Sequence, residues 1–193
     1  MQLRFATRPL AVLAAATALA LALPATAATN LVSNGSFEDR SLAGWSGTVL
    51  SSPYSGAECI SGTAAEGACQ AFLGTFGSTD TLSQTLATTA GQAYAVRFVF
   101  TSDGSALASF AVSFGGQTLY SASSPAAGMH ALSFTATAAA SSTALVFSVN
   151  NDPGYYTLDA VSVTAVPEPA TAALMGLGLL GLAAWRRRPH GRR

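Results

Sequence analysis

The chain has 193 residues, no lysine and nine arginines, and its formal net charge is zero. Residues 28–165 contain two arginines and eight acidic residues, a net charge of −6, and the other seven arginines lie near the two ends. A domain of this charge lacks the basic side chains that hold phosphates, so we exclude nucleic acid as a partner. This length, without its two ends, leaves room for one domain.

Residues 1–27 have the three parts of a secretory signal peptide. Two arginines precede an apolar run over residues 10–23, and small residues at 25–27 resemble a cleavage site. We predict a signal helix that is removed after Ala27, which places the mature chain outside the cytoplasm. The alternative is an uncleaved N-terminal anchor.

Residues 28–165 are predicted to form an all-β domain. Apolar residues alternate with small polar residues in short runs, and turn sequences separate these runs. The predicted strands, about nine in number, begin at Leu31 and then cover 71–76, 81–86, 93–100, 107–114, 117–120, 129–136, 144–149 and 155–164. Short strands without a helix between the two ends are typical of a β-sandwich, and we predict a two-layer jelly roll.

Cys59 and Cys69 are the only cysteines of the chain. In an oxidising compartment two cysteines at this distance favour one disulfide, which would close a loop rich in Gly, Ala and Ser. A redox pair, or a metal site completed by His130, is the alternative. The absence of a CxxC spacing argues against both.

The last predicted strand breaks its own alternation. Leu158 and Val161 cannot share one face of a regular strand, because side chains alternate with a period of two. One extra residue around Asp159 and Ala160, a β-bulge, would turn both apolar side chains inward and redirect the Asp159 side chain.

Two stretches resemble carbohydrate-binding jelly rolls of the galactose-binding-like superfamily. The first is NGSFEDRSLAGW over residues 34–45, and the second is YYTLDAVSV over residues 155–163. The resemblance implies a structural calcium held by Glu38 and Asp159. Ala160 stands where the family pattern has a second acid, which removes one possible ligand, and calcium needs six to eight oxygens. The alternative is that both acids are capping or turn residues.

Glycan contacts cannot be assigned to one residue. Aromatic side chains stack on sugar rings, and the candidates are Trp45, Tyr54, Tyr120, Tyr155 and Tyr156. Each of them can equally belong to the core or to a sheet edge, and a Trp in the position of Trp45 is more often buried.

Catalysis has little support. His130 is the only histidine of the domain, and it shares the inward face of its strand with Leu132 and Phe134. The sequence contains no GxSxG, HExxH or P-loop motif. We therefore predict that the chain is not an enzyme and has no catalytic residue.

Residues 166–193 form a third segment with three parts. Pro167, Glu168 and Pro169 interrupt regular structure, since proline lacks a backbone donor. Ala170 to Trp185 carries no charge but is short for a membrane-spanning helix, which needs about 20 apolar residues. The next three residues are Arg186, Arg187 and Arg188, a cluster that resists translocation. We predict a short transmembrane helix in the inner membrane; a plain single-span anchor or a buried core helix is the alternative.

The order of these three parts strongly resembles the PEP-CTERM sorting signal of Gram-negative bacteria. The resemblance implies transient anchoring with the domain on the periplasmic side, cleavage by exosortase near the Pro-Glu-Pro motif, and release to the cell surface or matrix. It also implies an association with exopolysaccharide or biofilm. Two functions therefore remain open: a structural or adhesive matrix protein, or a carbohydrate-binding module with a specific glycan site and structural calcium.

Overall fold

The computed structural model describes residues 29–167, 176–178 and 181. The predicted signal helix, residues 168–169 of the Pro-Glu-Pro motif and the arginines 186–188 lie outside the described residues. Among the residues that are described, no helix is long and apolar enough to cross a membrane.

Residues 29–167 fold into nine strands and one short 3₁₀ helix, Thr48–Ser51. The strands are β1 Ser55–Glu58, β2 Gln70–Gly74, β3 Asp80–Ala87, β4 Ala93–Ser102, β5 Ser109–Phe114, β6 Gln117–Ser123, β7 Gly128–Thr137, β8 Ser142–Asn150 and β9 Tyr155–Ala165. A five-stranded sheet has the order β1-β2-β9-β4-β7, and a four-stranded sheet has the order β3-β8-β5-β6. Every neighbouring pair is antiparallel. The predicted all-β sandwich is confirmed.

The core between the sheets is largely aromatic. The Phe100 and Phe110 rings stack with centroids 4.1 Å apart, and Phe98 meets the edge of Phe147 at 5.3 Å. These four side chains come from β4, β5 and β8 and are almost completely buried. Burying each of them stabilises the fold by about 1.5–3 kcal/mol, so this cluster fixes how the two sheets face each other.

Some predicted strand bounds are wrong, and one strand is missing from the prediction. Leu31 does not begin a strand, because its segment meets β9 only through an isolated bridge from Asn30 to Thr164 and a hydrogen bond from Leu31 to Val163. The strand predicted to end at residue 76 ends at Gly74, and β1 was not predicted at all. The sequence Ser55–Glu58 contains no apolar alternation, and its strand exists because it pairs with β2.

The predicted bulge in β9 is confirmed. Along the pair with β4, Arg97 faces Ser162 and Val99 faces Asp159, so β9 has one residue more than β4 between these positions. Ala160 takes a φ of 52°, and Leu158 and Val161 are both buried. The extra residue thereby turns the Asp159 side chain away from the regular pleat.

Candidate functional site

The opening segment Asn34–Trp45 closes one edge of the sandwich. Asn34 takes a φ of 51°, and its Nδ2 donates to the carbonyl oxygens of Ser41 and Ala43. Trp45 donates from Nε1 to the Asn34 carbonyl oxygen at 3.0 Å and stacks on the buried Phe37. This half of the motif is structural, and Trp45, 6% exposed, is a core residue.

Glu38 and Asp159 hold the same loop from two sides. Glu38 Oε1 accepts hydrogen bonds from the backbone N–H groups of Ala68 and Cys69, at 2.8 and 2.7 Å. Asp159 Oδ2 accepts from those of Ala65 and Glu66, at 2.7 and 2.8 Å. The two carboxylates, which come from opposite ends of the sequence, thus fix the end of the loop before β2. We call them the loop clamp.

The disulfide between Cys59 and Cys69 closes the same loop, as predicted. Gly67 is essential to this arrangement for two reasons. Its φ is +65°, and a Cβ at this position would overlap the Glu38 carboxylate. The covalent link and the clamp therefore depend on one closely packed backbone turn.

The clamp bears directly on the predicted calcium. The hydrogen bonds from Ala65, Glu66, Ala68 and Cys69 supply backbone N–H donors to Asp159 Oδ2 and Glu38 Oε1. Within residues 29–167, 176–178 and 181, no group of three or more His, Cys, Asp or Glu side chains is placed to hold a metal. Calcium at Glu38 and Asp159 stays a prediction. Melting temperatures measured with calcium and with chelator test this prediction.

His130 is held by the core. Its ring stacks on Phe100 at 4.7 Å, and Nε2 lies 2.8 Å from the Ala126 carbonyl oxygen. Tyr156, one of the predicted glycan contacts, is completely buried on β9. Burial, with Asp103 and Tyr120 nearby, raises the pKa of Tyr156 to about 12. Tyr120 is half-buried against Phe100. These residues do not present a free ring to a ligand.

The exposed aromatic side chains gather at the end of the sandwich where β9 begins. Tyr54, Phe76 and Tyr155 are 55%, 75% and 51% exposed. Tyr54 stacks on Phe76 with ring centroids 6.3 Å apart, and Tyr155 meets the half-buried Phe72 at 6.4 Å. Clustered aromatic rings that stay exposed to solvent make this end of the sandwich the candidate binding surface.

Two adjoining depressions run between these rings, and we call them together the aromatic groove. Their volumes are about 530 and 400 Å³, and both are lined by Glu58, Pro153, Gly154 and Tyr155. The first also contacts Tyr54, Phe72, Phe76 and Asp152, and the second contacts Gln70, Thr101 and Asp103. A groove with apolar walls and a few polar side chains is the usual form of a small-ligand site.

The sequence missed half of this groove. The predicted strand 71–76 includes Phe76, but β2 ends at Gly74 and the Phe76 side chain is exposed to solvent. Glu58 and Phe72 lie opposite Gln70 and Gly56 in the β1–β2 pair, a pairing that the sequence did not reveal. The available signal was an apolar Phe beside the turn sequence Gly77-Ser78-Thr79.

A family model described as the PEP-CTERM protein-sorting motif matches residues 165–188. No curated protein matches the chain. The motif implies export and a C-terminal membrane anchor, as the sequence predicted.

Solved structures show the fold of the sandwich. The structure of TmCBM61 in complex with β-1,4-galactotriose is 18% identical, with a TM-score of 0.59 over 72% of this chain and 99% of that one. The xylan-binding domain from CBM 22 is 12% identical, with a TM-score of 0.52 over 70% and 95%. The CBM22-1–GH10 modules of Clostridium thermocellum Xyn10B with xylohexaose are 13% identical, with a TM-score of 0.54 over 72% and 29%.

At these identities the likeness concerns the fold. The chain therefore carries a PEP-CTERM protein-sorting motif directly after an all-β sandwich that has the fold of carbohydrate-binding jelly rolls.

Proposed function

We propose that the chain is an exported glycan-binding protein that a PEP-CTERM signal delivers to the cell surface or matrix. The aromatic groove carries this proposal. It presents three exposed rings, three carboxylates and one side-chain amide on a sandwich of which several structural neighbours are named as carbohydrate-binding modules. Sugar rings offer apolar faces to aromatic side chains and hydroxyl groups to polar ones, which matches this lining.

The groove and the sorting motif lie at opposite ends of β9. Tyr155 lines the groove at the first residue of the strand, and the strand ends at Ala165, one residue before the sorting segment. Eleven residues of strand span about 30 Å. Hydrogen bonds from Val166 to Ala93 and from Gln92 to Val166 fix this end of the strand to the sandwich. A glycan could thus bind at the end that points away from a membrane.

Processing by exosortase completes the proposal. The Pro-Glu-Pro motif would be the recognition element, and the apolar run with its arginine cluster would hold the chain in the inner membrane until cleavage. Release would leave the sandwich associated with exopolysaccharide or biofilm. The lining residues and the named binding modules favour binding over turnover, so we propose no catalytic role.

Replacing Arg186, Arg187 and Arg188 by glutamine is expected to deplete the chain from the membrane fraction, because the stop-transfer charge is lost. Immunoblots of fractionated cells measure this distribution. An Arg40→Gln variant, which changes an arginine of the sandwich, should fractionate like the wild type. Unchanged fractionation of the triple variant contradicts the anchor.

Tyr155→Ala is expected to weaken binding to a recognised glycan about tenfold, which corresponds to about 1.4 kcal/mol. The ring is half exposed and lines both parts of the groove, so its removal takes a stacking platform away without opening the core. Isothermal titration against exopolysaccharide of the producing bacterium measures the affinity. Leu107→Ala is the control, because Leu107 is 85% exposed and lies outside the groove. Equal affinity of both variants contradicts the assignment.

A further inference from the structure

The aromatic groove is acidic, and its negative charge restricts the class of ligand that it can bind. Three carboxylates line it: Glu58, Asp103 and Asp152. The residues that line its two parts include no lysine, arginine or histidine. Of the two arginines of the sandwich, Arg97 lies on β4 four residues before Thr101, about 13 Å along the strand, and Arg40 lies in the opening segment.

Neutral donors form hydrogen bonds with only one oxygen of each of these carboxylates. Glu58 accepts from Gln70 Nε2 at 3.1 Å, and Asp152 accepts from the Gly77 N–H at 3.1 Å. Asp103 accepts through Oδ1 from Asn151 Nδ2 and from the Ser105 N–H. Each acid uses one oxygen in these bonds, so the second oxygen remains available to a ligand.

A buried acceptor lies beside Asp103. Asn151 is completely buried, and its Oδ1 has no hydrogen-bond partner in the part of the chain that the structure describes. A Cβ on residue 154 would lie 3.0 Å from this oxygen and would overlap Asp103 Oδ2, so both oxygens lie close to Gly154. Asn151 lies beneath the groove and does not line it, so the excess of acceptors and of negative charge at the groove surface comes from the three carboxylates.

We propose that the groove recognises a polysaccharide that carries unacetylated amino sugars. This inference rests on the proposed function and names the class of glycan. An ammonium group brings three donors and a positive charge to the carboxylates, and it can also lie over the face of Tyr155 or Tyr54. A neutral sugar would bury the carboxylates without neutralising them, and a uronic acid polymer would be repelled.

The test compares two oligosaccharides that differ only at nitrogen. The full chain, purified in mild detergent, is titrated at pH 6 with a glucosamine hexamer and with the N-acetylglucosamine hexamer. We expect the free amine to bind at least tenfold more tightly, with an affinity that falls as salt increases. Glu58→Gln and Asp152→Asn should each weaken binding of the glucosamine hexamer severalfold, at unchanged melting temperature.

Two further variants distinguish binding in the groove from nonspecific attraction of a polycation to an acidic protein surface. Asp39→Asn removes the same charge outside the groove and should bind like the wild type, because Asp39 lines neither part. Tyr155→Ala should lose affinity although its charge is unchanged. If Asp39→Asn loses as much affinity as Glu58→Gln and Tyr155→Ala loses none, the proposal is overturned.

The outcomes separate this inference from the proposed function. Equal or tighter binding of the acetylated hexamer overturns the amino-sugar class and leaves glycan binding in place. Calcium-dependent binding of a uronic acid oligomer overturns it as well, in favour of a bridging cation. Failure of the folded chain to bind any of these probes or the exopolysaccharide overturns both.

Discussion

Replacing Asp159 by alanine is expected to lower the free energy of unfolding by about 2–4 kcal/mol. The carboxylate is 2% exposed and accepts backbone hydrogen bonds from Ala65, Glu66 and Ala160. Alanine leaves these three donors without their acceptor and frees the loop from β9. Guanidinium unfolding, followed by tryptophan fluorescence, measures the loss through Trp45.

Asp39→Ala is the matched control for this variant. It removes the same charge from an exposed side chain whose hydrogen bond to Ser41 is local. We expect its stability to stay within about 0.5 kcal/mol of the wild type. If both variants lose the same stability, the effect comes from net charge and the clamp is not the cause.

The same carboxyl group gives a pH dependence of known sign. Burial raises the pKa of Asp159 above its ordinary value of 3.8, and the backbone hydrogen bonds oppose this shift only in part. The folded chain therefore binds this proton more readily than the unfolded chain. Protonation of Asp159 therefore stabilises the folded chain. This stabilisation is complete below pH 3.8, the ordinary pKa, and is lost as the pH rises through the pKa of the folded chain.

Wild type should accordingly gain stability relative to Asp159→Asn as the pH is lowered from neutral towards 4, because only the wild type titrates at this position. Unfolding midpoints of both proteins at pH 7 and near pH 4 give the stability difference between them. The titration of all other groups is common to both proteins and cancels in this difference. If the stability difference between wild type and variant stays constant, or if the variant gains relative stability in acid, the pKa of Asp159 is not raised.

Removal of the disulfide is expected to cost about 2–3 kcal/mol, through the greater chain entropy of the unfolded state. The sequence separation of Cys59 and Cys69 is 10 residues, and the loop between them has few apolar side chains. Unfolding of the Cys59→Ser/Cys69→Ser variant, compared with wild type under oxidising conditions, measures this cost.

The clamp and the disulfide should be coupled, because both fix residues 65–69. When the disulfide is absent, Asp159→Ala should cost less than it does in the wild type, since the loop is then already partly released. A double-mutant cycle measures the coupling. Strictly additive costs would show that the two devices stabilise the fold independently.

The class of the fold and the sorting motif could both be predicted from the amino-acid sequence. Alternation in segments such as residues 93–100 and 144–149 has a period that depends only on the local backbone, so both strands lie within one or two residues of their predicted bounds. The bulge at Ala160 followed from the spacing of Leu158 and Val161 for the same reason. The sorting motif is a linear pattern, and it was legible without any fold.

The positions and contacts of the acids and of the aromatic rings could be seen only in the folded chain. Glu38 and Asp159 are far apart in sequence, and their shared loop exists because β2 pairs with β9. Tyr54, Phe76 and Tyr155 come from three segments that meet through the β1–β2–β9 order of one sheet. Long-range strand pairing leaves no local periodicity at the positions that it brings together, so their contact cannot be inferred from the pattern of any one segment.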